Sequence, residues 1–277
     1  MHISAKGALQ TLDTLTEAME HHKRVFFTRF GDGEIYVMEG KGTADQQAAD
    51  VLTQEMRKAW AIRHPQYFKG VSVNYPRDKG MIDGVLAPFP QNEELEHILI
   101  DQMGEAPGSV YENPVVFHYL TLFRPELMVQ FLERFVRPRP KMFIGSVPQE
   151  LVELVFGSID YYVQTPAKDA YHSIDEWYPK VLEHLPKVAV VLPTAGAASK
   201  AVQERLWHAG AQVHSLDIGS LVDAVQQQGT RRWIRLLGHR SRRILVPGWD
   251  KTGLVLQQPL KELKQEIKYS FHRLLGR

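Results

Sequence analysis

Short apolar runs alternate along this chain with segments of helical period, and that alternation constrains the fold more than any other feature. Leu9, Leu12, Leu15 and Met19 share one helix face, and Val25, Phe26 and Phe27 follow inside a strand expected over 24–30. A helix is expected to start at Thr43 or Asp45 and run to 63, with a strand at 68–73 and an acidic helix at 92–103. Residues 106–114 read as a loop, 115–117 as a short strand and 125–135 as a helix that Pro138 and Pro140 bring to an end. The second half is more regular. Strands are expected at 142–146, 161–164, 188–192 and 212–216, separated by helices at 149–156, 174–185 and 197–209, the second of these capped by Ser173. Such alternation argues an α/β, Rossmann-like fold, a mostly parallel sheet with helices on both faces. Residues 1–225 carry it, and 226–277 read as a helical C-terminal extension.

The strand at 24–30 ends in Arg29-Phe30-Gly31-Asp32-Gly33-Glu34. In open α/β sheets ligands collect at the carboxyl ends of strands. Gly31 and Gly33 let the backbone turn tightly, so that Asp32 and Glu34 face one ion, and Arg29 offers phosphate a forked, permanent charge. The same residues also suit an ordinary surface turn in which Arg29 pairs with Asp32. A short apolar stretch, Ile35-Tyr36-Val37-Met38, follows. Further along, Pro193-Thr194-Ala195-Gly196 joins a strand to a helix, where backbone amides approach a ligand and the helix N-terminus favours an anion. Tight packing in a doubly wound sheet accounts for those small residues equally well. The strand after that helix ends in Asp217.

The string TRFGDGE after an apolar strand resembles the signature of the GT-D-fold glycosyltransferases, a bacterial family first catalogued as a domain of unknown function. The resemblance implies a metal-dependent transferase that uses a UDP-sugar, with Asp32 and Glu34 as the acids of its DxE motif and Mn²⁺ or Mg²⁺ as the ion. Arg29 and Gly31 would then sit at the donor. Two further stretches are similar: the Leu192-Pro193-Thr194-Ala195 turn with Asp217-Ile218-Gly219-Ser220, and Thr165-Pro166-Ala167-Lys168-Asp169-Ala170-Tyr171. They imply nucleotide contacts from Thr194, Ala195, Lys168 and Asp217, with Tyr171 either covering the uracil or packing as a core aromatic. Ser220 departs from the family, which carries histidine there.

Other chemistries are set aside on specific grounds. The Gly-x-Gly-x-x-Gly fingerprint, the P-loop, the His-Glu-x-x-His motif and the Gly-x-Ser-x-Gly elbow are absent from the sequence. His118, in an apolar stretch, reads as a core histidine. A net charge of +1 argues against a dedicated nucleic-acid binder, and zero cysteines exclude disulfides and a thiolate nucleophile. Residues 1–22 read as an amphipathic helix and no apolar run approaches the ~20 residues of a membrane span. The expectation is a cytoplasmic enzyme. Arg231, Arg232, Arg235, Arg240, Arg242 and Arg243, followed by a stripe of Leu260, Leu263, Ile267, Phe271 and Leu274, suit a solvated face, a membrane surface, an anionic acceptor or a second subunit. The competing readings are a nucleotide- or S-adenosylmethionine-binding module, in which Asp217 takes ribose hydroxyls, and a non-catalytic relative.

Overall fold

The computed structural model describes residues 2–44, 46–81, 85–87, 92–223 and 232–252. Its strands are β1 (Ser4–Ala5), β2 (Val25–Phe30), β3 (Tyr67–Val71), β4 (Val110–Tyr111), β5 (Lys141–Gly145), β6 (Tyr161–Gln164), β7 (Val190–Pro193) and β8 (His214–Leu216). Six of them form one all-parallel sheet in the order β3-β2-β8-β7-β5-β6. The short strands β1 and β4 pair with each other, also in parallel, and a bridge from Glu112 to Gly70 joins them to the sheet's edge. The helices used below are α1 (Ala8–His21), α2 (Asp32–Met38), α3 (Asp50–Ala61), α4 (Asn92–His97), α5 (Val116–Phe123), α6 (Pro125–Phe135), α7 (Gln149–Phe156), α8 (Ile174–His184), α9 (Ala198–His208), α10 (Arg232–Arg235) and α11 (His239–Leu245).

Strand β2 shows why helices cover both faces. Successive side chains of a strand point to opposite sides of the sheet. Phe26 meets Trp207 of α9 edge-on at 5.2 Å, and Phe30 meets Trp60 of α3 at 5.1 Å. Phe27, between them, meets Phe117 of α5 at 5.5 Å on the other side. Helices α3 and α9 pack together on the first face, while α5 packs with α1, α6 and α11 on the second. All three β2 phenylalanines are fully buried, and each such ring contributes roughly 1.5–3 kcal/mol by leaving water.

Several expectations change. The stretch 115–117 is not a strand but leads into α5, all of whose residues are buried. An apolar run buried on every side carries no period to tell strand from helix. Ile35-Tyr36-Val37-Met38 is the body of α2, and the loop at 106–114 contains β4, too short to show alternation. Helix α3 starts at Asp50, later than Thr43, while Asp45 lies outside the described residues. Ser173 precedes α8 as expected, without a side-chain cap bond. Residues 232–252 place Trp233, Ile234, Leu237, Leu245 and Val246 in the same core as the sheet, with His118 stacked on Trp233 at 4.7 Å. Arg240 and Arg243 pair with Glu126 and Asp250. Arg231 and the stripe from Leu260 to Leu274 lie outside the described residues.

Candidate functional site

Four charged side chains meet beyond the carboxyl ends of β2, β8 and β7, which are neighbours in the sheet. Gly31 leaves β2 in an extended conformation and is the N-cap of α2. Glu34, three residues on, turns back so that its Oε2 accepts the Gly31 N–H at 3.0 Å, as in a capping box. A Cβ on Gly31 would stand 2.7 Å from that oxygen, so only glycine fits without moving Glu34. The other oxygen, Oε1, accepts from Lys200 Nζ at 2.8 Å. Lys200 lies near the start of α9, with its side chain 3% exposed. Its ammonium also stands 2.9 Å from Asp217 Oδ2 and donates to the Gly196 carbonyl at 3.3 Å. Asp217 Oδ1 accepts the Gly219 N–H at 3.0 Å, and Arg29 Nη1 lies 3.8 Å from the same oxygen. Arg29 Nε donates to the Pro114 carbonyl at 2.5 Å.

Glu34 and Lys200 favour each other's charged form. Burial alone would raise the Glu34 carboxyl, but the Lys200 ammonium, with help from Arg29, keeps it below the ordinary carboxylate range. Burial would likewise lower Lys200, and Asp217 and Glu34 together outweigh it and raise it. The bend after Asp217 needs glycine at 219. Its φ is +55°, and a Cβ there would collide with Arg29 Nη1 and come within 3.1 Å of His118 Nε2. His118 is buried, as a core histidine should be, yet it borders the cluster.

Arg29, Glu34 and Asp217 are therefore brought together, and Arg29 pairs with Asp217 rather than with Asp32. Asp32 and Glu34 share no hydrogen-bond or ion-pair partner among the described residues. They occupy helix positions two apart, which do not face each other. The Asp32 side chain has no hydrogen-bond or ion-pair partner among the described residues, and the residue is partly exposed. Thr194 directs both its amide and its hydroxyl to the Ile144 carbonyl, at 2.8 and 3.1 Å, and the Ala195 amide donates to Ser199 Oγ at 2.8 Å. Tyr171 is 8% exposed, and burial foremost pushes its hydroxyl up to about 12. Lys168 is exposed in the loop before it. That loop is tied to residue 47 through Asp169, whose Oδ1 accepts the Gln47 amide at 2.5 Å. A cleft of about 330 Å³ opens between the two segments, lined by Gln46, Gln47, Asp169, Tyr171 and His172 among others.

Lys200 is the member that the sequence reading missed. Its only signal was a lysine three positions into a helix of small and apolar residues, while its partner Glu34 lies 166 positions away. Among the described residues no three acids or histidines converge as a cage for a metal ion. Of the acids at this site, Asp32 is the one whose carboxylate has no hydrogen-bond or ion-pair partner among the described residues. That fits Mg²⁺ or Mn²⁺ held mainly by water and phosphate oxygens, an arrangement that needs only one or two protein carboxylates.

No family model matches the chain, and no curated protein matches it in sequence. Solved structures match it in fold. One, described as a new glycosyltransferase of the domain of unknown function 1792 from Streptococcus sanguinis, is 18% identical, with a TM-score of 0.58 over 81% of this chain and 84% of its own. Two more structures of that domain, one described as having a distinct glycosyltransferase fold, are 15% identical with TM-scores of 0.57 over 82% of this chain and 81% of theirs. This chain has the fold of that domain, in agreement with the resemblance carried by TRFGDGE.

Proposed function

We propose that this protein is a glycosyltransferase that moves a sugar from a UDP-sugar to the hydroxyl of a glycan-type acceptor. The observation that carries the reading is the cluster Arg29–Asp217–Lys200–Glu34, placed where open α/β sheets bind ligands and built on a fold shared with a glycosyltransferase. Arg29 offers a forked guanidinium, aimed by Asp217 and the Pro114 carbonyl. A fixed cation of this kind stabilises charge that develops on a departing nucleoside diphosphate. The Thr194–Ala195 turn and the loop with Lys168 and Tyr171 stand at the ends of β7 and β6, on the same edge of the sheet. Over the transfer, the bond from the anomeric carbon to UDP breaks with its electron pair kept by the diphosphate, and the acceptor oxygen bonds to that carbon and gives up its proton to solvent. A divalent ion, Mn²⁺ or Mg²⁺, would be held through Asp32, and as a Lewis acid it supplies further neutralisation of the leaving group. Among the described residues no helix is long and apolar enough to cross a membrane.

Thermal unfolding with UDP, UDP-glucose, S-adenosylmethionine and NAD, each with and without Mn²⁺, checks this reading. UDP with Mn²⁺ at a hundred times its dissociation constant should add about 2.7 kcal/mol of stability. Stabilisation by S-adenosylmethionine, with none by UDP and metal, would replace the transferase by a methyl-transfer module.

A further inference from the structure

The two acids of the Asp32-x-Glu34 pair have different surroundings. An ammonium has three N–H donors. That of Lys200 donates to Glu34 and to the Gly196 carbonyl, and it forms an ion pair at 2.9 Å with Asp217 Oδ2, which accepts no hydrogen bond among the described residues. Glu34 is equally committed, one oxygen to Lys200 and the other to the Gly31 amide. Asp217 divides its oxygens between Lys200 on one side and Gly219 with Arg29 on the other. Asp32 stands outside this network. We infer that Lys200 is the resident cation of the site: its ammonium, bridging Glu34 and Asp217, fills the place a metal would take between those acids and leaves Asp32 as the acid that meets an added ion. Lys200 is a positioning residue, and Glu34 serves the fold of the site rather than the metal shell. The inference rests on the transferase reading only for the use of Asp32. The role of Lys200 stands on contacts within the protein.

Mn²⁺ titration followed by the spin resonance of the free ion, on the full chain with UDP present, separates the two acids. Asp32→Asn should weaken Mn²⁺ binding at least tenfold, and Glu34→Gln should leave it within threefold. A second arm uses Mn²⁺ alone, without nucleotide, and so reads Lys200 independently of the proposed donor. Lys200→Met leaves Glu34 and Asp217 facing each other without a cation, and micromolar Mn²⁺ should raise its melting temperature by several degrees while barely moving that of the unsubstituted protein. Lys200→Arg, which keeps the charge, should show no such response. Should Lys200→Met fail to fold even with Mn²⁺, its metal arm counts against the inference, and the Asp32→Asn and Glu34→Gln titrations still decide the division of the acids. Equal loss of Mn²⁺ in both acid variants would overturn it. If UDP binds in neither condition while Mn²⁺ still rescues Lys200→Met, the donor assignment fails and the resident-cation role survives.

Discussion

Among the described residues, the lysine–carboxylate groups built on Lys6 and on Lys200 differ in stoichiometry. Near the β1–β4 pair, Lys6 Nζ stands 2.7 Å from Glu112 Oε1, while the second oxygen of Glu112 accepts from the Thr11 hydroxyl at 2.9 Å. One cation meets one anion, neutral hydroxyls complete the shell, and the Lys6 side chain stays a third exposed. At the carboxyl ends of β2 and β8, one almost fully buried ammonium serves two carboxylates and Arg29 balances the remaining charge. Burial of a charged pair therefore does not mark a functional site. The mark is a group of charges whose balance requires several strand ends at once, because such a group is stable only when all those ends are in place.

The largest expected effect concerns that balance. Lys200→Met strands two carboxylates, and removing one partner from a buried ion pair costs about 3–5 kcal/mol. Lys6→Met should cost less, about 1–3 kcal/mol, because it strands a single buried carboxylate, Glu112, that keeps the Thr11 hydroxyl as a donor. Urea unfolding of both variants checks the ranking, and equal costs would erase the distinction drawn between the two groups.

A smaller effect separates strand β8 from the ion pairs at its ends. Burial foremost lowers His214 to about 4 from an ordinary 6.5. Between those values the unfolded chain binds a proton that the folded chain refuses. The contribution is complete above pH 6.5 and is lost as the pH falls towards 4, by about 3 kcal/mol at 1.36 kcal/mol per unit. His214→Leu should flatten that part of the stability profile. An unchanged slope would assign it to the carboxylates instead.

Two glycine N-caps offer a finer contrast. Gly7 and Gly31 both open a helix, and in each case the side chain three residues on, Gln10 or Glu34, accepts the glycine N–H. Gly31→Ala should cost roughly 1–3 kcal/mol, because displacing Glu34 also disturbs Lys200. Gly7→Ala meets Asp78 at 3.0 Å and should cost roughly half as much, with UDP affinity unchanged. Calorimetric titration of both with UDP and Mn²⁺ would show whether only the Gly31 variant loses affinity. The smallest effect is expected for Ser199→Ala, which removes the acceptor of the Ala195 amide at a cost of about 1 kcal/mol. Melting temperatures resolve a change of that size.

Much of this was legible in the sequence where local chemistry decides local structure. The strand–turn–helix–strand unit from 188 to 217 announced itself by apolar runs and a small-residue turn, and it supplies β7, α9 and β8 almost as expected. TRFGDGE located the end of β2. Its reading as a free turn missed the helix behind it, although Gly31 with Glu34 three positions on has the spacing of a capping box. Lys200 was illegible for a different reason. Nothing in its neighbourhood is unusual, and its role arises only when α9 is laid beside β2. The two-residue strands β1 and β4 were invisible because a periodicity of two cannot be read from two residues.

The position of β8 bears on how the molecule comes into being. This strand, the last in chain order among the described residues, lies between β2 and β7 in the middle of the sheet. A chain leaving the ribosome therefore holds β2 with β3 at one end and β5 with β6 and β7 at the other, without the strand that joins them, until residues 214–216 emerge. Pairing across such long sequence separations is slow, because the loop must close before the contacts compensate for it. The two halves wait with exposed edges, open to other chains. Asp217, the next residue after β8, then reaches Lys200 as the sheet closes. Closure of the sheet and assembly of the charge cluster are thus one event, and a chain that stops short of 217 can possess neither.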